Sequence, residues 1–117
     1  MEEQLHFPDW LKEFSGGITV CDTEGKIIYM NNKSGRIFAS YGGKDLVGSS
    51  LFKCHPSPAK EKLKDMMDKQ ITNSYTIEKN GIQKLIYQAP WYKNGQYMGF
   101  IELSLELPSE LPHFKRG

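Results

Sequence analysis

Residues 17–32 read GITVCDTEGKIIYMNN, and the rest of the chain is best understood from this stretch. Two short runs rich in Ile, Val, Thr and Tyr flank residues 22–25, where Asp22 can hydrogen-bond within its own turn and Gly25 can adopt a positive φ. This pattern predicts a β-hairpin. The second run ends at Asn31, whose side chain can cap the helix-like segment that follows at once. The stretch therefore predicts two strands, a capping residue and a helix in immediate succession.

Three further helical patterns surround this hairpin. The spacing of apolar residues predicts a short amphipathic helix over residues 7–14. It predicts another helix over residues 33–40, which Gly42 and Gly43 prevent from continuing. The longest helix is predicted after Ser57, its expected N-cap, with Pro58 at the first helical position. Its apolar stripe consists of Ala59, Leu63, Met66, Met67 and Ile71.

The last third of the chain has the composition of β-strands. Strands are predicted over residues 74–78, 84–92 and 96–107, and they are separated by Asn80-Gly81 and Asn94-Gly95, which favour two-residue hairpin turns. Pro90 lacks a backbone donor, so we expect a bulge or a twisted end near it. The predicted organisation is an N-terminal amphipathic helix in residues 1–15, one domain in residues 16–107 and an irregular tail in residues 108–117.

Composition excludes several classes of protein. The 117 residues are enough for one domain, and 15 Lys and Arg against 14 Asp and Glu give a net charge of +1 without a block of like charge. We therefore expect no nucleic-acid partner and no membrane partner. No apolar run is long enough for a membrane span, and the acidic start is unlike a signal peptide, so we expect a cytoplasmic protein. Cys21 and Cys54 match no zinc spacing and are expected to be reduced thiols.

In order and spacing, these features resemble the PAS domain family, a sensory module of signalling proteins. The resemblance is carried by Asp22, Gly25, Ile27, Tyr29 and Asn31, by Asp45-Leu46-Val47-Gly48, and by Pro90, Tyr92, Asn94-Gly95, Tyr97 and Gly99. It implies an α+β fold in which five antiparallel strands form one sheet in the order 2-1-5-4-3, with helices across one face. It also implies a sensor in signal transduction. Because the chain shows no kinase, cyclase or DNA-binding pattern, we expect a module without its own output domain that reports to an unidentified signalling protein.

Departures from the family pattern limit the expected cofactors. Light-sensing flavin members carry a reactive cysteine in an Asn-Cys-Arg-Phe-Leu motif, which surrounds neither Cys21 nor Cys54, so flavin is not expected. Oxygen-sensing haem members carry their His in the long helix, where this chain has none. His55 nevertheless keeps a haem-binding sensor open as a second alternative. No other metal site is predicted. The adjacent Cys54 and His55 would point in different directions with nothing to orient the imidazole, so we do not expect an enzyme.

Two main hypotheses about function remain open at this point. In the first, a small molecule binds between the sheet and the long helix, with contacts from Tyr29, His55, Met67, Tyr87 and Trp91. In the second, the same apolar residues form a filled core without a ligand, since a small domain needs most of its apolar side chains to fold. The chain would then be a homodimerising protein–protein interaction module, whose interface combines the outer sheet face with Phe7, Trp10, Leu11 and Phe14.

Overall fold

Five antiparallel strands form a single sheet. The computed structural model of the chain describes residues 6–54 and 57–117. The strands are β1 (Gly17–Asp22), β2 (Ile27–Met30), β3 (Asn73–Lys79), β4 (Ile82–Lys93) and β5 (Gln96–Glu106). Their order across the sheet is β2-β1-β5-β4-β3. The predicted α+β class and strand order are therefore confirmed, and β5 is the central strand.

The helices are short, and both ends of the first two differ from the predicted bounds of residues 7–14 and 33–40. They are α1 (Asp9–Lys12), α2 (Asn32–Ile37), α3 (Leu51–Cys54) and α4 (Ala59–Lys69), with 3₁₀ helices at Ala39–Tyr41 and Gly43–Leu46. The first helix begins only at Asp9, because the backbone of Pro8 before it is extended, and it ends after four residues at Lys12. The prediction that Ser57 caps the longest helix is wrong. Its hydroxyl donates instead to the Glu61 carboxylate, at 2.7 Å, and Pro58 occupies the N-cap position.

The predicted cap at the start of α2 is confirmed. The Asn31 side-chain oxygen accepts a hydrogen bond from the Ser34 backbone N–H at 3.0 Å. A helix N-terminus leaves its first N–H groups without intrahelical partners, so this bond fixes where α2 begins. Because Asn31 directly follows β2, the cap also holds the helix against the edge of the sheet.

Helices α2 to α4 lie across one face of the sheet, which we call the inner face. Cys21 and Phe100 on this face pack with Met66 and Met67 of α4 to form the buried core. The stripe predicted for the long helix thus contributes its two methionines to the core, whereas Ile71 lies beyond the helix end and is exposed. Within residues 6–54 and 57–117, no helix is both long and apolar enough to cross a membrane.

An irregularity in the pairing of β4 with β5 decides which side chains face the helices. Near the hairpin, Tyr92 pairs with Tyr97, but the next pair is Trp91 with Gly99, so Met98 is an extra residue on β5. This is a β-bulge, and it lies one residue beyond Pro90. Because one extra residue exchanges the two faces of a strand, Phe100, Glu102 and Ser104 face inward beyond the bulge. Residues 108–117 form no helix or strand.

Candidate functional site

A cavity of about 640 Å³ lies between the inner face of the sheet and the helices. It is partly open to solvent, and most of its lining is apolar. The apolar and aromatic lining comes from every strand and from the helical segments: Cys21, Ile27, Met30, Ile37, Phe38, Tyr41, Leu46, Leu51, Leu63, Tyr75, Ile77, Ile86, Phe100 and Ile101. A concave site of this size with mainly apolar walls is typical of small-molecule sites.

A row of polar side chains crosses the inner face at one level of the sheet. Gln88 of β4 pairs with Asn73 of β3 on one side and with Glu102 of β5 on the other, and Glu102 pairs with Thr19 of β1. The Asn73 amide donates to Gln88 Oε1 at 3.1 Å, and the Gln88 amide donates to Glu102 Oε2 at 2.8 Å. We call Asn73, Gln88, Glu102 and Thr19 the polar row. All of its members except Asn73 line the cavity.

Beyond the polar row, towards the β4–β5 hairpin, the cavity meets the buried core. Cys21 is a free thiol there, and burial raises its pKa to about 11, so the group is neutral at physiological pH. Tyr97 packs edge-on against Phe100, with ring centroids 6.3 Å apart, and its hydroxyl is buried without a hydrogen-bond partner. Burial also raises the pKa of Tyr97. This end of the cavity is therefore closed by uncharged side chains.

Four residues of the predicted ligand site belong to the described part of the chain, and none of them lines the cavity: Tyr29, Met67, Tyr87 and Trp91. Met67 belongs to the core, and the Tyr29 ring packs against Phe7, with centroids 4.4 Å apart. Tyr87 alternates with the cavity residues of β4, so it lies on the opposite sheet face, where 40% of it is exposed. His55 lies outside the described residues.

Trp91 acts across the sheet rather than in the cavity. It lies opposite Gly99, and its indole N–H reaches across β5 to donate to the Cys21 carbonyl of β1, at 3.1 Å. The indole and the bulge thus occur at the same level of the sheet. The geometry gives Trp91 a role in holding three strands together.

The face of the sheet opposite the cavity, which we call the outer face, carries apolar side chains in two rows. One row joins Ile18, Leu103 and Tyr87, and the next joins Leu105 and Leu85. The N-terminal segment covers part of this face, since Phe7 packs on Tyr29, and Phe14 and Leu105 both lie close to Gly16. The part over β4 has no such cover among the described residues and is half-buried or exposed.

The ligand site predicted from the sequence contains aromatic side chains, a methionine and a histidine, and it does not include the cavity residues Thr19, Gln88 and Glu102. The sequence does contain a signal for the cross-strand pair of Asn73 with Gln88. A two-residue turn at Asn80-Gly81 fixes the pairing of its flanking strands, so the Asn73–Gln88 pair follows from the sequence. Among the described residues, no group of three His, Cys, Asp or Glu side chains could hold a metal ion.

Comparisons with known proteins agree with the architecture. The family model of the PAS fold matches residues 11–79. Among solved structures, the chain is similar to the Aer2 receptor of Vibrio cholerae, described as a dual PAS-heme oxygen sensor, with a TM-score of 0.60 and 14% identity over 80% of this chain and 96% of that one. No curated protein matches the sequence.

Two other solved structures give comparable similarity. The PAS domain of an HTR-like protein from Haloarcula marismortui has a TM-score of 0.58 and 13% identity, over 85% of this chain and 87% of that one. VqmA of Vibrio cholerae, bound to DPO, has a TM-score of 0.62 and 17% identity, over 85% of this chain and 56% of that one. At these identities the likeness shows the fold. The family match covers more than half of the 117 residues, and together with the strand order and the helices on one face it shows that this chain belongs to the PAS-fold family.

Proposed function

We propose that this PAS domain is a sensor that binds a small molecule in the cavity between its sheet and its helices. The observation that carries the proposal is the cavity of about 640 Å³. A chain of 117 residues needs most of its apolar side chains to form a core, yet many of them line this partly open cavity, so a ligand that covers them would bury apolar surface that the fold leaves accessible. Binding would change the packing of the helices against the sheet and thereby the surface that a signalling partner contacts.

The solved relatives give this proposal a precedent. Aer2 is described as a haem oxygen sensor, and VqmA was solved with DPO bound, so proteins of similar fold hold small molecules. In this chain, haem would require an axial ligand, for which His55 was the sequence-based candidate. Since His55 lies outside the described residues, haem stays a prediction that the first experiment below also examines.

The proposal predicts that the chain binds a ligand and that a larger side chain in the cavity prevents this binding. We expect the native mass of the purified chain to exceed its denatured mass, and an absorption spectrum of the same sample would reveal haem. Ile86 lines the cavity, so Ile86→Phe should place a ring in it and remove the excess mass. Leu85 is the adjacent residue of β4 and points to the outer face, so Leu85→Phe is the matched control and should retain the ligand.

Two outcomes would contradict the sensor proposal. One is equal ligand content in both variants, since the ligand would then lie elsewhere. The other is a bare chain mass together with no response of the cavity residues to an added small apolar molecule, measured from amide resonances. The second result would favour an interaction module with a filled core.

The exposed aromatic residues of the N-terminal segment favour a second function, homodimerisation. Trp10 is 76% exposed and Phe14 is 42% exposed, although α1 lies beside the outer face, which is itself apolar. A four-residue helix is too short to be stable alone and needs a surface to pack on. We propose that Phe7, Trp10, Leu11 and Phe14, together with the outer face, form the interface between two copies of the chain.

Removal of the exposed rings should separate the dimer. We expect the wild type to sediment as a dimer and the double variant Trp10→Ala with Phe14→Ala to sediment as a monomer at the same concentration. The control is Tyr41→Ala, which removes another highly exposed ring, on the helical side of the sheet, and should leave the dimer intact. A wild type that stays monomeric at high concentration would refute this interface.

A further inference from the structure

We propose that the cavity selects molecules that carry a positively charged or N–H-donating nitrogen group on an apolar body, and that the Glu102 carboxylate receives this group. The inference rests on the proposed sensor function and specifies its ligand class. Its basis is the polar row, which places one carboxylate and no basic group at the middle of a mainly apolar wall.

The first argument is geometric. The Gln88 amide is held at both ends, since its oxygen accepts from Asn73 and its nitrogen donates to Glu102 Oε2. An amide fixed in this way orients the carboxylate that it contacts. Among the described residues, Gln88 is the only side chain that hydrogen-bonds to Glu102, so the second carboxylate oxygen, Oε1, is left to accept from a bound molecule.

The second argument is electrostatic. No Lys or Arg of the described residues forms an ion pair with Glu102, whereas Glu106, on the same face of β5, pairs with Lys33 at 3.6 Å. Burial and, second to it, the negative charge of Glu102 raise the pKa of Tyr75, which also lines the cavity. The field of the carboxylate therefore reaches other groups on the cavity wall. An anionic ligand at this level would meet a like charge, and a cation or N–H donor would meet a partner.

Two lysines also line the cavity, but they belong to its other end. Lys79 and Lys84 lie beside the β3–β4 hairpin, and Lys84 lies opposite Glu106 in the β4–β5 ladder, not opposite Glu102. Gln88 follows Lys84 by four positions along β4, which corresponds to about 13 Å between their Cα atoms. An acidic group on a ligand would therefore point to this hairpin, while its nitrogen group would reach the polar row.

The test compares three probes that share a phenyl ring and are similar in size but differ in charge. Benzylamine, benzyl alcohol and benzoate are titrated separately into the isotope-labelled chain of 117 residues, and binding is followed by the amide resonances of residues on the cavity wall. Hydrogen bonds to charged groups are stronger than neutral ones, so we expect benzylamine to bind at least about tenfold more tightly than benzoate. Benzyl alcohol should bind with intermediate affinity.

Two isosteric variants assign the preference to one carboxylate. Glu102→Gln should weaken benzylamine binding about tenfold, strengthen benzoate binding and leave benzyl alcohol binding nearly unchanged. Glu106→Gln makes the same change of charge on the same strand face and is the matched control. It should leave the order of the three probes as in the wild type.

The outcomes separate this inference from the sensor proposal. If benzyl alcohol binds but the wild type does not prefer benzylamine to benzoate, the role of Glu102 is refuted and the cavity remains a ligand site. The role is refuted equally if Glu106→Gln removes the preference as fully as Glu102→Gln. If none of the three probes perturbs the cavity residues, both the ligand class and the ligand-binding function of the cavity are wrong.

Discussion

Replacing Gly99 with alanine is expected to destabilise the domain more than any other single substitution predicted here for the sheet. Gly99 has a φ of +144°, a conformation that residues with a side chain rarely adopt. A Cβ at this position would lie 2.0 Å from the Cys21 carbonyl oxygen and 2.9 Å from the Asp22 Cα. Both of these atoms belong to the backbone of β1, which cannot move without breaking its pairing with β5. The Trp91 indole donates to the same carbonyl, so that hydrogen bond would be lost as well.

We expect Gly99→Ala to reduce the free energy of unfolding by at least about 4 kcal/mol, since backbone strain, steric overlap and a lost hydrogen bond act together. A domain of this size is stable by only about 5–15 kcal/mol, so the loss should lower Tm by at least about 15 °C. Thermal and urea unfolding measure the change.

Gly95 provides the control for Gly99→Ala, because its φ is +80° but no heavy atom outside Gly95 and its two chain neighbours lies within 4 Å of the position that a Cβ would take. Gly95→Ala retains the backbone strain without the overlap and should cost about 1–2 kcal/mol. Equal losses for the two variants would show that the close approach of β1 to Gly99 does not determine stability.

The bulge next to Gly99 also explains why the sequence predicts the fold better than it predicts the site. Two-residue turns at Asn80-Gly81 and Asn94-Gly95 are evident in the sequence, and regular pairing from the second turn would place Gln88 opposite Ile101. The extra residue at Met98 places Gln88 opposite Glu102 instead. Whether Glu102 faces the helices or the outer side therefore depends on one irregularity, which alternation of residue types does not reveal.

Residue type alone does not decide which side chains contact a ligand. Tyr87 and Trp91 are large side chains with one polar atom, a combination that suits both a ligand site and a half-buried surface. Their position on β4 assigns them to the face opposite the cavity. The strand order itself came from the family resemblance, because local patterns identify hairpins but not which distant strands meet at the centre of a sheet.

The sequence predicts that Asn31 caps a helix, but it does not predict the other hydrogen bonds by which its side chain stabilises the fold. Its side chain is completely buried and uses its hydrogen-bonding capacity in four contacts. Oδ1 accepts from the backbone N–H groups of Ser34 at 3.0 Å and Ile18 at 2.9 Å. Nδ2 donates to the backbone carbonyls of Gly16 at 3.0 Å and Leu11 at 3.3 Å. One amide therefore joins α2, β1 and the N-terminal segment.

We expect Asn31→Ala to lower the free energy of unfolding by about 3–5 kcal/mol, because it leaves several buried backbone groups without partners. Urea unfolding measures this loss. The neighbouring Asn32 is less buried, and its side-chain contact is with the exposed Lys44 ammonium, so Asn32→Ala is the matched control and should cost less than about 1 kcal/mol. Similar losses for the two variants would mean that the buried contacts of Asn31 add little beyond an ordinary surface contact.

Asn31→Asp separates the two halves of the Asn31 network. Aspartate keeps an oxygen that can accept from Ser34 and Ile18, but its second oxygen would face the carbonyls of Gly16 and Leu11 with no proton to donate at neutral pH. We therefore expect the sheet to stay folded while residues 6–16 detach from it, which faster amide hydrogen exchange in that segment would show. If the proposed dimer interface is correct, the same variant should also become monomeric, because Phe7, Trp10, Leu11 and Phe14 would lose their fixed position. A dimer that persists despite a detached segment would assign the interface to the outer sheet face alone.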